Sequence, residues 1–230
     1  MMMKRLIAMM LVMTLLLAGC GNAKPEDVAG TVQPVQTEAA PEDKTVSMGR
    51  LEGGNYVNEY TGYGCMLDSS WQFSGAEELQ EMPENVAELI KGTELGDHYD
   101  AINQFTDMLA ENAEQLQTIN VLYRKCTMQD RLQYAMMSES EIIDGVLGMQ
   151  DSMKEAYMQA GFEVTGVEKV TVTFLGEERQ ALRTETITQG VPYITLQIFD
   201  YHLGQYVVTL TLASFLEDTT EQMLDLFYEV

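Results

Sequence analysis

Four runs of alternating side chains in the last third of the chain constrain its fold more than any other feature. Residues 164–175 carry Val167, Val170, Val172 and Phe174; residues 180–188 read Gln-Ala-Leu-Arg-Thr-Glu-Thr-Ile-Thr; residues 193–201 and 206–215 follow. Successive residues of a strand point to opposite faces, so alternation rich in β-branched and aromatic residues predicts strands. Gly176-Glu177-Glu178, Gln189-Gly190-Val191-Pro192 and His202-Leu203-Gly204-Gln205 separate the runs and supply turn chemistry. Strands joined this closely run antiparallel, which predicts a four-stranded meander.

The preceding chain adds helices and a few strands. Residues 56–67 read as a β-hairpin with a turn at Thr61-Gly62-Tyr63-Gly64, closed by Asp68-Ser69-Ser70-Trp71. Ser74-Gly75 before Ala76-Glu77-Glu78 predicts a helix start, and Val86, Leu89 and Ile90 give a second helical piece its apolar face. In residues 97–116, Ile102, Phe105, Leu109, Ala113 and Leu116 recur at spacings of three and four, which fits a helix. Residues 118–125 alternate as a strand. Ser138 with Glu141 three residues on forms a capping-box pattern that opens one long helix over 138–160, ended by Gly161. A short terminal helix capped around 218–220 carries Met223, Leu224, Leu226 and Phe227. The expected class is α+β: an antiparallel sheet with helices on both faces, as one domain over residues 51–230.

The first twenty residues point to export. Lys4 and Arg5 precede an apolar run over 6–17, too short to span a bilayer, and Leu17-Ala18-Gly19-Cys20 follows. This tetrapeptide resembles the lipobox of bacterial lipoproteins. The resemblance implies a signal peptide over 1–19, removed after Cys20 receives a diacylglyceryl group, and a membrane partner reached through that lipid. Two acyl chains or more make such an anchor stable. Residues 20–50 hold three of the five prolines and few large apolar side chains, as expected of a tether that cannot bury a core. Loss of Lys4 and Arg5 would deepen the net charge from −23 to −25. That charge argues against nucleic acid and favours cationic or neutral partners.

Asn58-Glu59-Tyr60, Gly64, Leu67 and Trp71 together resemble the opening of PsbP-like domains. Glu94-Leu95-Gly96, the stretch 107–112, Thr118-Ile119-Asn120-Val121, Phe174-Leu175-Gly176-Glu177 and the closing Tyr206-Val207 with Ser214-Phe215 are similar to segments of clostridial lipoproteins. The resemblance covers roughly residues 55–230. It implies an α/β/α sandwich, a strand over 107–111 pairing with 119–123, a Gram-positive envelope setting, and a binding or assembly role. That strand competes with the helical spacing over 97–116, and both readings stand at this point.

Motifs for catalysis are sparse. Gly-x-Ser-x-Gly, the phosphate-loop pattern and His-Glu-x-x-His do not occur, and no cofactor or catalytic residue is expected. Cys65 and Cys126 either pair or stay as buried thiols. Asp97, His98 and Asp100 form the densest polar cluster and are the candidates for a divalent cation such as calcium, although they lack the alternating ligands of a calcium loop. Tyr56, Tyr60, Tyr63, Trp71 and Phe73 gather near the first hairpin. They serve as core, or, where exposed, as a recognition patch for an envelope protein. The expectation is a non-catalytic binding or envelope-assembly module. A small-ligand or cation-binding lipoprotein is the alternative, and an anchored hydrolase has the least support.

Overall fold

The computed structural model describes residues 49–230 apart from 202 and 203. The expected signal peptide, Cys20 and the tether as far as residue 48 lie outside the described residues. Gly49 and Arg50, assigned to the tether by sequence, already belong to the fold. The Gly49 N–H donates to the Asp107 carboxylate, and Arg50 opens the first strand.

Strands β1 (Arg50–Glu52), β2 (Asn55–Asn58) and β3 (Tyr63–Cys65) pair in succession. Gly53 and Gly54 both take positive φ, as the two-residue turn between β1 and β2 requires. Next come β4 (Trp71–Phe73), helices α1 (Ala76–Leu89) and α2 (Glu94–His98), and the hairpin β5 (Gln104–Asn112) and β6 (Gln117–Lys125). Helices α3 (Met128–Tyr134), α4 (Glu139–Leu147) and α5 (Gln150–Gln159) lead into the meander β7 (Glu163–Phe174), β8 (Glu177–Thr188), β9 (Val191–Asp200) and β10 (Tyr206–Phe215). Helix α6 (Thr220–Met223), a 3-10 turn and β11 (Phe227–Glu229) complete the described chain.

The strands form two antiparallel sheets, one of seven in the order β4-β5-β6-β10-β9-β8-β7 and one of four in the order β1-β2-β3-β11. The α+β class and the meander are as the sequence predicts. Strand β10 also pairs with β6, Leu210 opposite Val121, so the β5–β6 hairpin extends the meander into one wide sheet. Helices cover one face: Val86, Ile90, Ile142, Val146 and Tyr157 cluster with Leu109, Leu182 and Phe199. On the other face, Tyr56, Tyr63, Cys65 and Phe227 of the small sheet, with Met223 and Leu224 of α6 and its turn, pack on Val121, Leu196 and Leu210. Helical cover of this second face is therefore short, and the small sheet supplies the rest.

Five stretches differ from the sequence reading. The two helical pieces expected around Pro83 are one continuous helix, α1. Residues 104–112 are strand β5 rather than helix. A bulge at Asp107 shifts the alternation by one residue, so Phe105 and Leu109 of the apparent helical stripe face opposite sides of the sheet, Phe105 toward the small sheet and Leu109 toward the helices. Ile102, the first residue of that apparent helical stripe, is 95% exposed. The expected helix over 138–160 is two helices, broken at Gly148-Met149, where a glycine weakens the helix by about 1 kcal/mol relative to alanine. The Ser138–Glu141 capping box is present, and a second box, Thr127 with Asp130, starts α3. The terminal helix is a single turn, because Phe227 leaves it to pair with Cys65. The first hairpin ends at Cys65, and Trp71 joins the large sheet opposite Asn112.

The two faces of the large sheet differ in chemistry. Toward the small sheet its middle is apolar: Met108, Ile119, Val121, Leu196, Ile198, Leu210 and Leu212. Toward the helices the middle carries buried Thr106, Thr118, Asn120, Thr184, Thr195, Gln197, Thr209 and Thr211. A buried hydroxyl or amide without a hydrogen-bond partner costs about 1–3 kcal/mol. On this face Gln104 Nε2, Thr106 Oγ1, Asn120 Oδ1, Thr184 Oγ1 and Thr195 Oγ1 have none.

Candidate functional site

The end of α5 builds a groove. Gly161 adopts φ 91°, a left-handed conformation that strains residues with a Cβ. Its N–H donates to the Met158 carbonyl at 3.1 Å and that of Phe162 to the Tyr157 carbonyl at 2.9 Å. This paired closure is the glycine stop of a helix, and it turns Phe162 inward directly before β7 begins. Across from it, Gln189 and Gly190 take φ 52° and 81°, the two positive values of the tight turn that joins β8 to β9. The Thr188 hydroxyl donates to the Gly161 carbonyl at 3.2 Å and ties the two ends together.

Between them lies a cavity of about 750 Å³. Phe162 is a buried part of its lining, Val164 and Ile187 are half-buried walls, and Met158 stands 70% exposed. Asp151, Glu155 and Glu163 are exposed carboxylates on the lining, against the one ammonium of Lys154. Lys154 lies 3.9 Å from Asp151, a weak surface pair. The groove thus offers apolar area inside an acidic rim.

The aromatic residues named from sequence do not form a recognition patch. Tyr56, Tyr60, Tyr63 and Trp71 are buried, and Phe73 packs half-buried on the same core. They fill the space between the sheets: Tyr63 sits edge-on to both Phe174 and Phe227. Tyr56 donates to Asp107 Oδ2 at 2.5 Å. Asn58, fully buried, places Nδ2 at 2.7 Å from Tyr56 Oη, 2.6 Å from Tyr123 Oη and 2.9 Å from Asp107 Oδ2. Its Oδ1 accepts the N–H groups of Tyr60 and Thr61. Burial pushes the Tyr56 and Tyr123 phenols well above their ordinary range, so both stay protonated. This network clamps the small sheet to the large one.

Asp97, His98 and Asp100 are all exposed, and no three His, Cys, Asp or Glu side chains converge among the described residues. Thr93 caps α2 by accepting the Gly96 N–H. Asp100 is occupied by the Ile102 N–H and the Asn103 amide. Cys65 and Cys126 are free thiols. Burial pushes the Cys65 thiol up to about 12 and also raises Cys126.

Sequence reasoning identified Gly161 and the 189–192 turn as punctuation but not as the two sides of a groove. Only the pairing of Glu163 with Ile187 brings them together. No family model matches the chain, and no curated protein matches it significantly.

Proposed function

We propose that the chain is an exported, lipid-anchored, non-catalytic binding module, held at the outer face of a bacterial membrane through Cys20. It docks a basic segment of a partner protein, with an apolar side chain seated in the groove beside α5. The groove carries this reading: its floor is apolar, its rim has three carboxylates to one ammonium, and the chain bears a net charge of −23. A partner segment with Lys or Arg flanking a large apolar residue complements both features. The resemblance to PsbP-like domains, which are mostly binding and assembly modules, supports the same class.

The docking test uses the full chain in detergent and a labelled peptide in which one leucine stands between lysines. Anisotropy should report binding that weakens with salt. The combined D151N, E155Q and E163Q changes should weaken it about tenfold, as three exposed charges contribute up to about 1 kcal/mol each. Binding that ignores both salt and these substitutions means the groove is not the docking site. For the anchor, Cys20→Ser should move the protein from the detergent phase to the aqueous phase on partition. Unchanged partition removes the lipid from the proposal.

A further inference from the structure

Helix α3 turns an apolar face outward. Met128, Leu132 and Met136 recur every fourth residue, which stacks them on one side of the helix and of the turn that follows it. That side is open to solvent, with the three residues 65–86% exposed. The inward side is held by buried polar residues. Asp130 pairs with Arg124 at 3.3 Å, and the Tyr134 hydroxyl accepts from the Arg124 guanidinium at 2.9 Å. Helix α1 has the ordinary arrangement: Glu77, Glu81, Glu84 and Glu88 are exposed, while Met82 and Val86 are buried. A run of exposed large apolar side chains on so acidic a chain marks a surface built to be covered.

This face lies at one end of the large sheet. Strand β6 ends at Lys125, just before α3, and Gln104 opens β5 opposite Arg124, so the exposed Ile102 emerges at the same end. Gly49, where the chain leading from the expected anchor enters the fold, is bonded to Asp107, three residues from the start of β5. The groove beside α5 is at the opposite end. Strand β9 begins at the groove's turn and finishes at Asp200, in one row with Val208 and Tyr123. Its ten residues, at about 3.3 Å each, separate the two ends by about 33 Å. The α3 end is also poor in acid: between Glu114 and Glu139 the one carboxylate, Asp130, is buried, whereas Lys125 is exposed.

We propose that the outer face of α3 is a membrane-contact surface. Met128, Leu132 and Met136, with Ile102 beside them, sit among the headgroups of a phospholipid bilayer, and Lys125 meets the phosphates. This inference rests on the lipid anchor proposed above and adds which way the domain faces. An anchor that enters at Gly49 brings this end to the bilayer first. The face supplies Met and Leu, without the Trp, Tyr and exposed Arg that dominate protein interfaces. A phosphate layer attracts lysine and repels carboxylates, and this face has the former and lacks the latter. The net charge of −23 opposes adsorption of the whole domain, but charges beyond about 8 Å are screened, so the local face decides. Asp100, Glu177 and Glu178 are also exposed at this end. The last two lie at the start of β8, three strands or about 14 Å from β6, so they confine the contact to the α3 side. In this pose the groove opens away from the membrane.

The test places the full chain, Cys20 included, in vesicles of phosphatidylglycerol and phosphatidylcholine with or without bromine on the acyl chains. Leu132→Trp adds one tryptophan on the α3 face, and Met158→Trp adds one beside the groove. The buried Trp71 of the parent gives the background. Brominated lipid should remove about half or more of the emission added by Leu132→Trp, as for a side chain about 5–10 Å into the headgroup boundary. It should remove none of that added by Met158→Trp. Adding Met128→Glu and Met136→Glu to the Leu132→Trp chain should abolish the quenching, and quenching that survives both carboxylates overturns the proposal. Flotation of the same samples separates the two readings. A chain that does not float with the vesicles lacks the anchor, and this inference falls with it. A chain that floats while the tryptophan introduced at position 132 escapes the bromine keeps the anchor and overturns this inference alone; blue-shifted emission there would make a second copy or another protein the cover. Equal quenching at positions 132 and 158 also overturns it, because the domain then holds no fixed orientation.

Discussion

Replacing Asn58 with alanine should be the most damaging single change in the small-sheet layer. Its Oδ1 accepts the Tyr60 N–H at 2.9 Å and the Thr61 N–H at 3.2 Å, and its Nδ2 serves Tyr56 Oη at 2.7 Å and Tyr123 Oη at 2.6 Å. Four hydrogen bonds at about 1 kcal/mol each give a loss of about 4 kcal/mol. No water reaches a site with zero exposure to replace them. For a domain of this size each kilocalorie moves the thermal midpoint by about 2–4 °C, so the expected fall is about 8–16 °C. Urea unfolding of the full chain, followed by tryptophan fluorescence, reads the same loss directly, because Trp71 is the only tryptophan and is buried in the same cluster between the sheets. Asn58→Asp is the informative companion. It keeps the acceptors for Tyr60 and Thr61 but sets a second carboxylate beside Asp107, so it should be less stable at pH 7 than at pH 4. A loss below about 1 kcal/mol for Asn58→Ala would refute the clamp reasoning and show that the layers adhere by apolar contact alone.

Two further outcomes follow from burial. Burial first, and the Glu78 carboxylate second, raise the Glu111 carboxyl above its ordinary range. The folded state then holds this proton more tightly than the unfolded one, so stability falls as pH rises from about 4.3 through the raised value. Glu111→Gln should therefore be more stable than the parent at pH 7, with the advantage vanishing below about pH 4 in paired melts; an advantage constant with pH removes the linkage. In a Cys20→Ser chain at pH 8, a disulfide-exchange reagent should modify the half-buried Cys126 slowly and leave Cys65 untouched until denaturant is added. Rapid labelling of Cys65, followed by peptide mapping, would show that β3 opens in the native state.

How far the sequence carries depends on how local the determining physics is. The meander was legible because β7 to β10 alternate and their turns contain Gly176, Gly190 and Gly204, all at positive φ. The Ser138 cap was legible because its partner is three residues away. Strand β5 was obscured by the bulge at Asp107, a feature set by pairing with a strand elsewhere in the chain. Strand β11 has three residues and exists because β3 offers an edge, which no local pattern announces. The aromatic cluster near the first hairpin was visible and core was one of its two readings, but the surface that covers it was not, since it comes from β6, β9 and β10. The groove and the polar sheet face were hidden for the same reason: each joins residues from separate strands through register.

The attachment of β1 has a mechanical consequence. A pull transmitted from the N-terminal side reaches Gly49 and then three residues of β1 at the rim of the small sheet. Such a strand peels one hydrogen bond at a time and yields at low force. Behind it, β2 carries Tyr56 and Asn58, gripped by Asp107 and Tyr123 of the large sheet, where the load must break several bonds together. The first strand can therefore give way under tension like a slack loop of rope, adding length at its own end while the groove on the far layer keeps its shape.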